Sequence, residues 1–227
     1  MKGDIYSKYI KRIFDVVFSG MAIVCLIPVF IIVSVLVGVK LGRPIIFTQE
    51  RTGLHGKTFL MYKFRTMTNE MDSNGNLLPS EQRMTKTGRV LRSTSLDELP
   101  ELFNIFKGEM SFIGPRPLLE RYYSFYTSEE MKRHNVRPGL TGLAQVNGRS
   151  FISWEEIFEY DLRYVNHISL VMDFKIFLAT IQKVFAHKNV ADLSKAQKGA
   201  DGRYWIEVDG KKIAVHGALD EERRLKQ

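Results

Sequence analysis

The chain has 227 residues, with 33 Lys and Arg against 25 Asp and Glu, a formal net charge of +8 and a pI near 9.5. That balance points to an anionic partner, whether a phosphate-bearing substrate, nucleic acid or anionic lipid, and the length suits one domain or a domain with an appendage. A lone cysteine, Cys25, excludes an intrachain disulfide and fits a reducing, cytosol-facing location; the five scattered histidines (His55, His134, His167, His187, His216) form no Cys/His pairing of the zinc type.

Residues 16–39 form a run of 24 without a charge. As a straight helix the run would measure about 36 Å, against a hydrocarbon core of about 30 Å, so membrane insertion is expected; it also exceeds the apolar core of a signal peptide. Lys2, Lys8, Lys11 and Arg12 precede it, and Lys40 and Arg43 follow, with Arg51, Lys57, Lys63 and Arg65 not far behind. Both ends therefore read as cytoplasmic by the positive-inside rule. Pro28, at the middle, predicts a break. A helix that enters, bends and returns to the same leaflet satisfies both facts, with a kinked single span as the alternative.

Two β-prone runs, residues 45–49 and 58–66, flank Gly53, His55 and Gly56 and predict a hairpin. Residues 68–87 are polar and turn-rich, a surface loop. "STSLDELPEL", residues 93–102, then sets Asp97 and Glu98 side by side. Ser95 and Glu98 match the S-x-x-E capping box, but with Ser95 as cap Pro100 would fall inside the first helical turns. The helix must kink or start later, leaving the acidic pair on an irregular segment. Residues 100–110 predict a short helix ending near Gly108.

In "SFIGPRPLLE", residues 111–120, Arg116 lies between two prolines. The stiff backbone presents a planar fork of donors suited to phosphate or carboxylate; a rigid turn with a solvated arginine is the plainer reading. Residues 118–134 predict an aromatic-rich helix. "RPGLTGLAQVNGRS", residues 137–150, combines Gly139, Gly142 and Gly148 with Arg137, Gln145, Asn147 and Arg149, allowing close backbone approach to an anion, although no Walker pattern is present. Residues 154–164 and 169–187 predict helices, the second with the apolar face of an interfacial helix. Asp209-Gly210 predicts a hairpin in the tail.

An acidic pair, fixed arginines, Gly-rich basic loops and an apolar segment suit chemistry on a phosphate-bearing substrate at a membrane surface. A carboxylate can attack phosphorus while arginines and a divalent cation stabilise the developing charge. A non-enzymatic basic membrane anchor or scaffold is the competing class. A nucleic-acid binder would explain the charge, but no binding motif appears.

The ordered stretches "KRIFD" (11–15), "FTQERTG" (47–53), "YKFRTM" (62–67), "SLDELPELFN" (95–104), "MSFIGPRP" (110–117) and "RPGLTGLAQVNGR" (137–149) resemble the monotopic phosphoglycosyl transferases of the bacterial sugar transferase family, over residues 8–190. The resemblance implies transfer of a sugar 1-phosphate from a UDP-sugar to undecaprenyl phosphate, with release of UMP, as the start of a surface glycan. It implies Asp97 as nucleophile forming an aspartyl phosphosugar, Glu98 as its partner, Mg2+ held by Asp97 and Glu98, and Arg116 as phosphate ligand. Lys63, Arg65, Arg92, Arg137, Gln145 and Arg149 are further substrate-binding candidates. The family's re-entrant helix carries Ser-Pro at its bend, where this chain has Ile27-Pro28, so a hydroxyl that could serve freed backbone groups is lost.

The expected fold is α+β: a re-entrant membrane helix (1–42), a small mixed helix and strand catalytic domain with interfacial amphipathic helices (43–190), and a C-terminal extension with a hairpin (191–227). The expected location is the cytoplasmic face of the bacterial inner membrane, with membrane lipids as partners, no nucleic acid, and a homodimer left open.

Overall fold

A computed structural model describes residues 5–148, 153–185, 197–198, 204–208 and 211–215. A π-helical segment, Tyr6–Ile10, leads into helix α1, Lys11–Cys25, and after Leu26 into α2, Ile27–Leu41. The two helices bend by 63° at that break. The cause is local: Pro28 sits in the first turn of α2, where its missing N–H costs nothing, so the chain ends one helix at Leu26 and starts another. Among the described residues no single helix is long and apolar enough to cross a membrane, but the bent pair passes by length and composition.

The α1 helix is inverted relative to a soluble one. Lys11, Asp15 and Ser19, four apart and so on one face, are buried, whereas Phe14, Val17, Phe18, Met21 and Val24 are exposed. Polar contacts explain the buried face. Asp15 Oδ1 accepts from Ser111 Oγ at 3.0 Å and from the Phe112 amide at 3.1 Å. Lys11 Nζ and Tyr6 Oη donate to Asp173 Oδ2 at 2.6 and 2.7 Å. Arg12 donates to the carbonyls of Ile105 and Phe106, both at 2.7 Å, satisfying groups that a helix end leaves without partners.

Strands β1, Ile46–Thr52, and β2, Thr58–Phe64, form the predicted hairpin, in antiparallel register from Ile46 with Phe64 to Thr52 with Thr58. The first strand is longer than expected because the turn begins only at Gly53, whose amide bonds the Lys57 carbonyl at 2.8 Å. Within the loop that follows, Ser80–Arg83 forms a short helix, α3; α4 is Lys86–Ser93 and α5 is Glu101–Lys107. Gly108, at φ 92°, ends α5 as predicted. Phe59, Met61, Leu102, Ile105 and Met110 form the main core, with Ala22, Ile23, Leu26 and Phe30 of the bent pair against it. A second cluster, Val33, Val37, Phe64 and Leu91, ties α2 to β2 and α4.

Two short strands, β3 at Ser111–Ile113 and β4 at Gly139–Thr141, pair in parallel. The segment between them departs from expectation. Residues 118–134 are two 3-10 segments, Glu120–Phe125 and Glu130–Asn135, rather than one helix. Tyr126 is extended, and Thr127 and Glu130 exchange side-chain to backbone hydrogen bonds at 2.8 and 3.2 Å, a capping box that restarts the turn.

Helix α6, Leu143–Asn147, precedes α7, Trp154–Asn166, and α8, Leu170–Phe185. Leu170, Val171, Phe174, Phe177, Leu178 and Ile181 of α8 are exposed. Gln197–Lys198, Tyr204–Val208 and Lys211–Val215 (β5 to β7) form an antiparallel sheet. Its last two strands are those of the predicted tail hairpin, whose turn lies outside the described residues.

Candidate active site

The acidic pair sits where α4 stops. A Cβ on Gly88 would drive into the Thr66 carbonyl oxygen, so only glycine lets α4 lie this close to the end of β2. That contact sets Arg92 Nε 3.1 Å from Thr66 Oγ1. The chain then reverses at Ser95, φ 57° and ψ 17°, a left-handed conformation that costs a non-glycine residue on the order of 1 kcal/mol or more. Asp97 and Glu98 follow on a 3-10 turn, Leu96–Glu98, before Pro100 opens α5. The capping box expected at Ser95 is absent: its side chain makes no cap hydrogen bond, and the Glu98 carboxylate is drawn to cations instead.

Glu98 Oε1 accepts from Lys63 Nζ at 2.6 Å and from Arg116 Nη2 at 2.8 Å. Lys63 also lies 3.1 Å from Glu101 Oε1, an ion pair without hydrogen-bond alignment, since that buried oxygen has no donor. Asp97 is buried, 7% exposed, yet among the described residues no side chain pairs with its carboxylate. The adjacent carboxylates thus differ in kind: one is neutralised twice, the other is not.

Electrostatics follow from this arrangement. Burial pushes Glu98 up, but Arg116 and Lys63 outweigh it and hold the group at about 2. Burial raises Glu101 to about 7, against Lys63 and helped by Glu98. Asp97 is also raised, by burial and then by Glu98, with Lys63 and Arg92 opposing; a more basic carboxylate is a better nucleophile. Arg116 is shifted upward, chiefly by the Glu98 charge, and its side chain remains 45% exposed, open to an incoming anion.

Of the residues the sequence singled out, Lys63, Arg92, Asp97, Glu98 and Arg116 come together here. Others are engaged elsewhere. Arg65 donates to the Arg43 carbonyl at 3.0 Å and to that of Leu41, closing the end of α2. Arg137 Nε donates to Gly108 O at 2.9 Å, and Gln145 Nε2 to Leu140 O at 3.0 Å. Arg149 lies outside the described residues. Two glycines of the basic loop are required by a chain crossing: a Cβ on Gly139 or Gly142 would collide with the Gly114 backbone. The sequence reading missed two groups. Glu101, the first residue of α5, shares Lys63 with Glu98. Arg51 on β1, which donates to Pro117 O at 3.2 Å, is brought down to about 10 by burial and by Arg116.

The sequence pattern of bacterial sugar transferases matches residues 6–187. The chain belongs to the bacterial sugar transferase family. This sugar transferase is 49% identical over 181 residues to the uncharacterized sugar transferase EpsL of Bacillus subtilis (strain 168), covering 80% of this chain and 90% of that one. It is 38% identical over 190 residues to the UDP-glucose:undecaprenyl-phosphate glucose-1-phosphate transferase of Klebsiella pneumoniae, covering 79% of this chain and 41% of that one. It is 35% identical over 195 residues to the undecaprenyl-phosphate galactose phosphotransferase of Salmonella typhimurium, covering 78% and 41%. The sugar transferase therefore spans about two-fifths of the length of those two larger relatives.

Among the described residues no cluster of three or more His, Cys, Asp or Glu is arranged to hold a metal ion. Mg2+ does not require one: it binds through one or two carboxylates together with substrate phosphates and retained waters. The unpaired carboxylate of Asp97 beside Glu98 fits that donor set.

Proposed function

We propose that this sugar transferase is a phosphoglycosyl transferase that moves a sugar 1-phosphate from a UDP-sugar to undecaprenyl phosphate in two steps. In the first, an Asp97 carboxylate oxygen attacks the phosphorus that bears the sugar. The bond from that phosphorus to the bridging oxygen breaks, and UMP departs with the oxygen. In the second, a phosphate oxygen of the lipid attacks the same phosphorus, the acyl phosphate bond breaks, and Asp97 is regenerated. The observation that carries this reading is the contrast at the site: among the described residues no side chain pairs with the buried Asp97 carboxylate, while Glu98 is held by Lys63 and Arg116.

Each side chain has a part in it. Glu98 fixes Lys63 and Arg116 in place, and the exposed Arg116 fork meets the donor phosphates. Arg92 adds positive charge beside Asp97. Asp97 and Glu98 would hold Mg2+, which when bound screens the diphosphate so that an anion can approach it.

The activity of the Klebsiella relative supports a UDP-sugar donor, and those of the Klebsiella and Salmonella relatives both support an undecaprenyl phosphate acceptor. The inverted α1, the bent pair and the exposed apolar face of α8 support membrane insertion, and the basic residues on both sides of the apolar run place it in the cytoplasmic leaflet of the inner membrane in this reading. A basic scaffold without activity gives no reason for an uncompensated buried carboxylate. The test is a panel of UDP-sugars with undecaprenyl phosphate and Mg2+, scored by UMP release. One or more donors should release UMP; no release with any donor would remove the reading.

A further inference from the structure

Arg133 and Asp161 form an ion pair sealed inside the protein, their side chains 1% and 2% exposed. Arg133 donates Nε and Nη2 to Asp161 Oδ2 at 3.0 and 2.6 Å. Tyr126 and Phe158 bracket the guanidinium, with ring centroids 5.9 and 5.8 Å from Cζ. Asp161 projects from the middle of α7, and Arg133 from the second 3-10 segment. Such a pair is weak evidence of stabilisation, because desolving both charges offsets most of their attraction. What it holds is more telling.

Arg133 Nη2 also donates to the main-chain carbonyl of Arg116 at 2.8 Å. Arg116 is thereby gripped at both ends: its carbonyl by Arg133, its guanidinium by Glu98 at 2.8 Å. The prolines on either side stiffen the backbone but donate no N–H that could anchor it. The Gly139 amide holds the Pro115 carbonyl at 2.9 Å and Arg51 holds that of Pro117 at 3.2 Å; the carbonyl of Arg116 itself is held by Arg133, whose orientation is in turn fixed by Asp161.

We infer that the Arg133–Asp161 pair is a positioning device for Arg116, setting the height and direction of the fork that meets the donor phosphates. The inference deepens the proposed transferase reading and rests on it for the role of Arg116. Neither Arg133 nor Asp161 touches the acidic pair. Both act through the Arg116 backbone.

A double-mutant cycle tests this. Deleting one partner alone would strand a buried charge, so the pair is replaced together, Arg133→Met with Asp161→Leu, which a buried ion pair tolerates best. The replacement is made with and without Arg116→Ala in the full chain in lipid nanodiscs, and kcat/KM for UMP release is measured with Tm. With Arg116 present, kcat/KM should fall by about 10- to 100-fold, as for a misplaced contact. In the Arg116→Ala background it should change by about twofold or less, since nothing remains to position. Likewise Arg116→Ala should lower Tm less once the pair is gone. Equal losses in both backgrounds would overturn the inference and leave the pair a purely structural feature. If wild type releases no UMP, the transferase reading falls while the Tm cycle still decides the positioning. Should the double replacement not fold, Arg133→Lys, which keeps the charge pair but not the fork, goes through the same cycle.

Discussion

Lys63 Nζ lies 2.6 Å from Glu98 Oε1, so the second carboxylate of the acidic pair is fixed while the first, Asp97, keeps its charge unpaired. The two residues are neighbours in sequence and opposites in electrostatic setting. Glu98→Gln should therefore loosen Lys63 and Arg116 without removing the attacking group, lowering kcat/KM by roughly 10- to 100-fold, with part of the first-step chemistry retained. Initial rates of UMP release check this.

The pH dependence of stability separates Glu101 from Glu98. Glu101 titrates in the folded protein at about 7, above its ordinary 4.5, so the native state binds the extra proton. Stability should fall as pH rises from about 4.5 through about 7. Glu98, held at about 2, contributes stability that is present above its unfolded pKa and lost as pH drops below about 4.5. Glu101→Gln should flatten the fall between pH 5 and 8 and raise stability at pH 8 by up to about 3 kcal/mol. Thermal unfolding across that range, with chelator present, measures it; an unchanged slope would remove Glu101 as the source.

Gly88 is a packing requirement. Since its Cβ would meet the Thr66 carbonyl, Gly88→Ala should push α4 away and cost about 1 to 3 kcal/mol. Arg92 would leave Thr66 with it. A variant as stable as wild type would show that α4 does not pack this closely.

Metal removal gives a fourth prediction. EDTA should abolish UMP release, and Mg2+ in excess should restore it, because an anionic nucleophile must approach a diphosphate. Full turnover in chelator would contradict the assignment of Asp97 and Glu98 as its ligands.

Topology supplies the fifth. Residues 1–12 and the catalytic domain should share the cytoplasmic side, so a cysteine placed at Lys2 on a Cys25→Ala background should resist an impermeant reagent applied outside intact cells. Ready labelling would restore the single span. Pro28→Ala should straighten the break at Leu26 and move the N-terminus across.

Local chemistry made part of this legible in advance. Pro100 keeps the acidic pair off a regular helix, Gly53 and Gly56 mark the hairpin, and Gly108 ends α5; each is set by residues close in sequence. The parallel pairing of β3 with β4 left no signal, because three residues carry no period and their partners are distant. The capping box at Thr127 was hidden among aromatic residues that read as one helix. Arginine is the harder case. Arg65 and Arg137 read in sequence as candidate phosphate ligands; in the fold each also donates to a main-chain carbonyl, of Arg43 and Gly108, a contact that only the tertiary structure assigns. Glu101 was overlooked because its setting comes from Lys63 on β2, distant in sequence.

The covalent role of Asp97 is tested most directly by trapping it. UDP-sugar labelled in the phosphate next to the sugar is mixed with protein and Mg2+ in the absence of undecaprenyl phosphate. Wild type should release UMP and retain label on the protein, the label should pass to lipid when acceptor is added, and Asp97→Asn should do neither, with turnover down by on the order of 1,000-fold or more. Normal turnover by Asp97→Asn, or no UMP and no labelled protein without acceptor, would contradict the two-step mechanism.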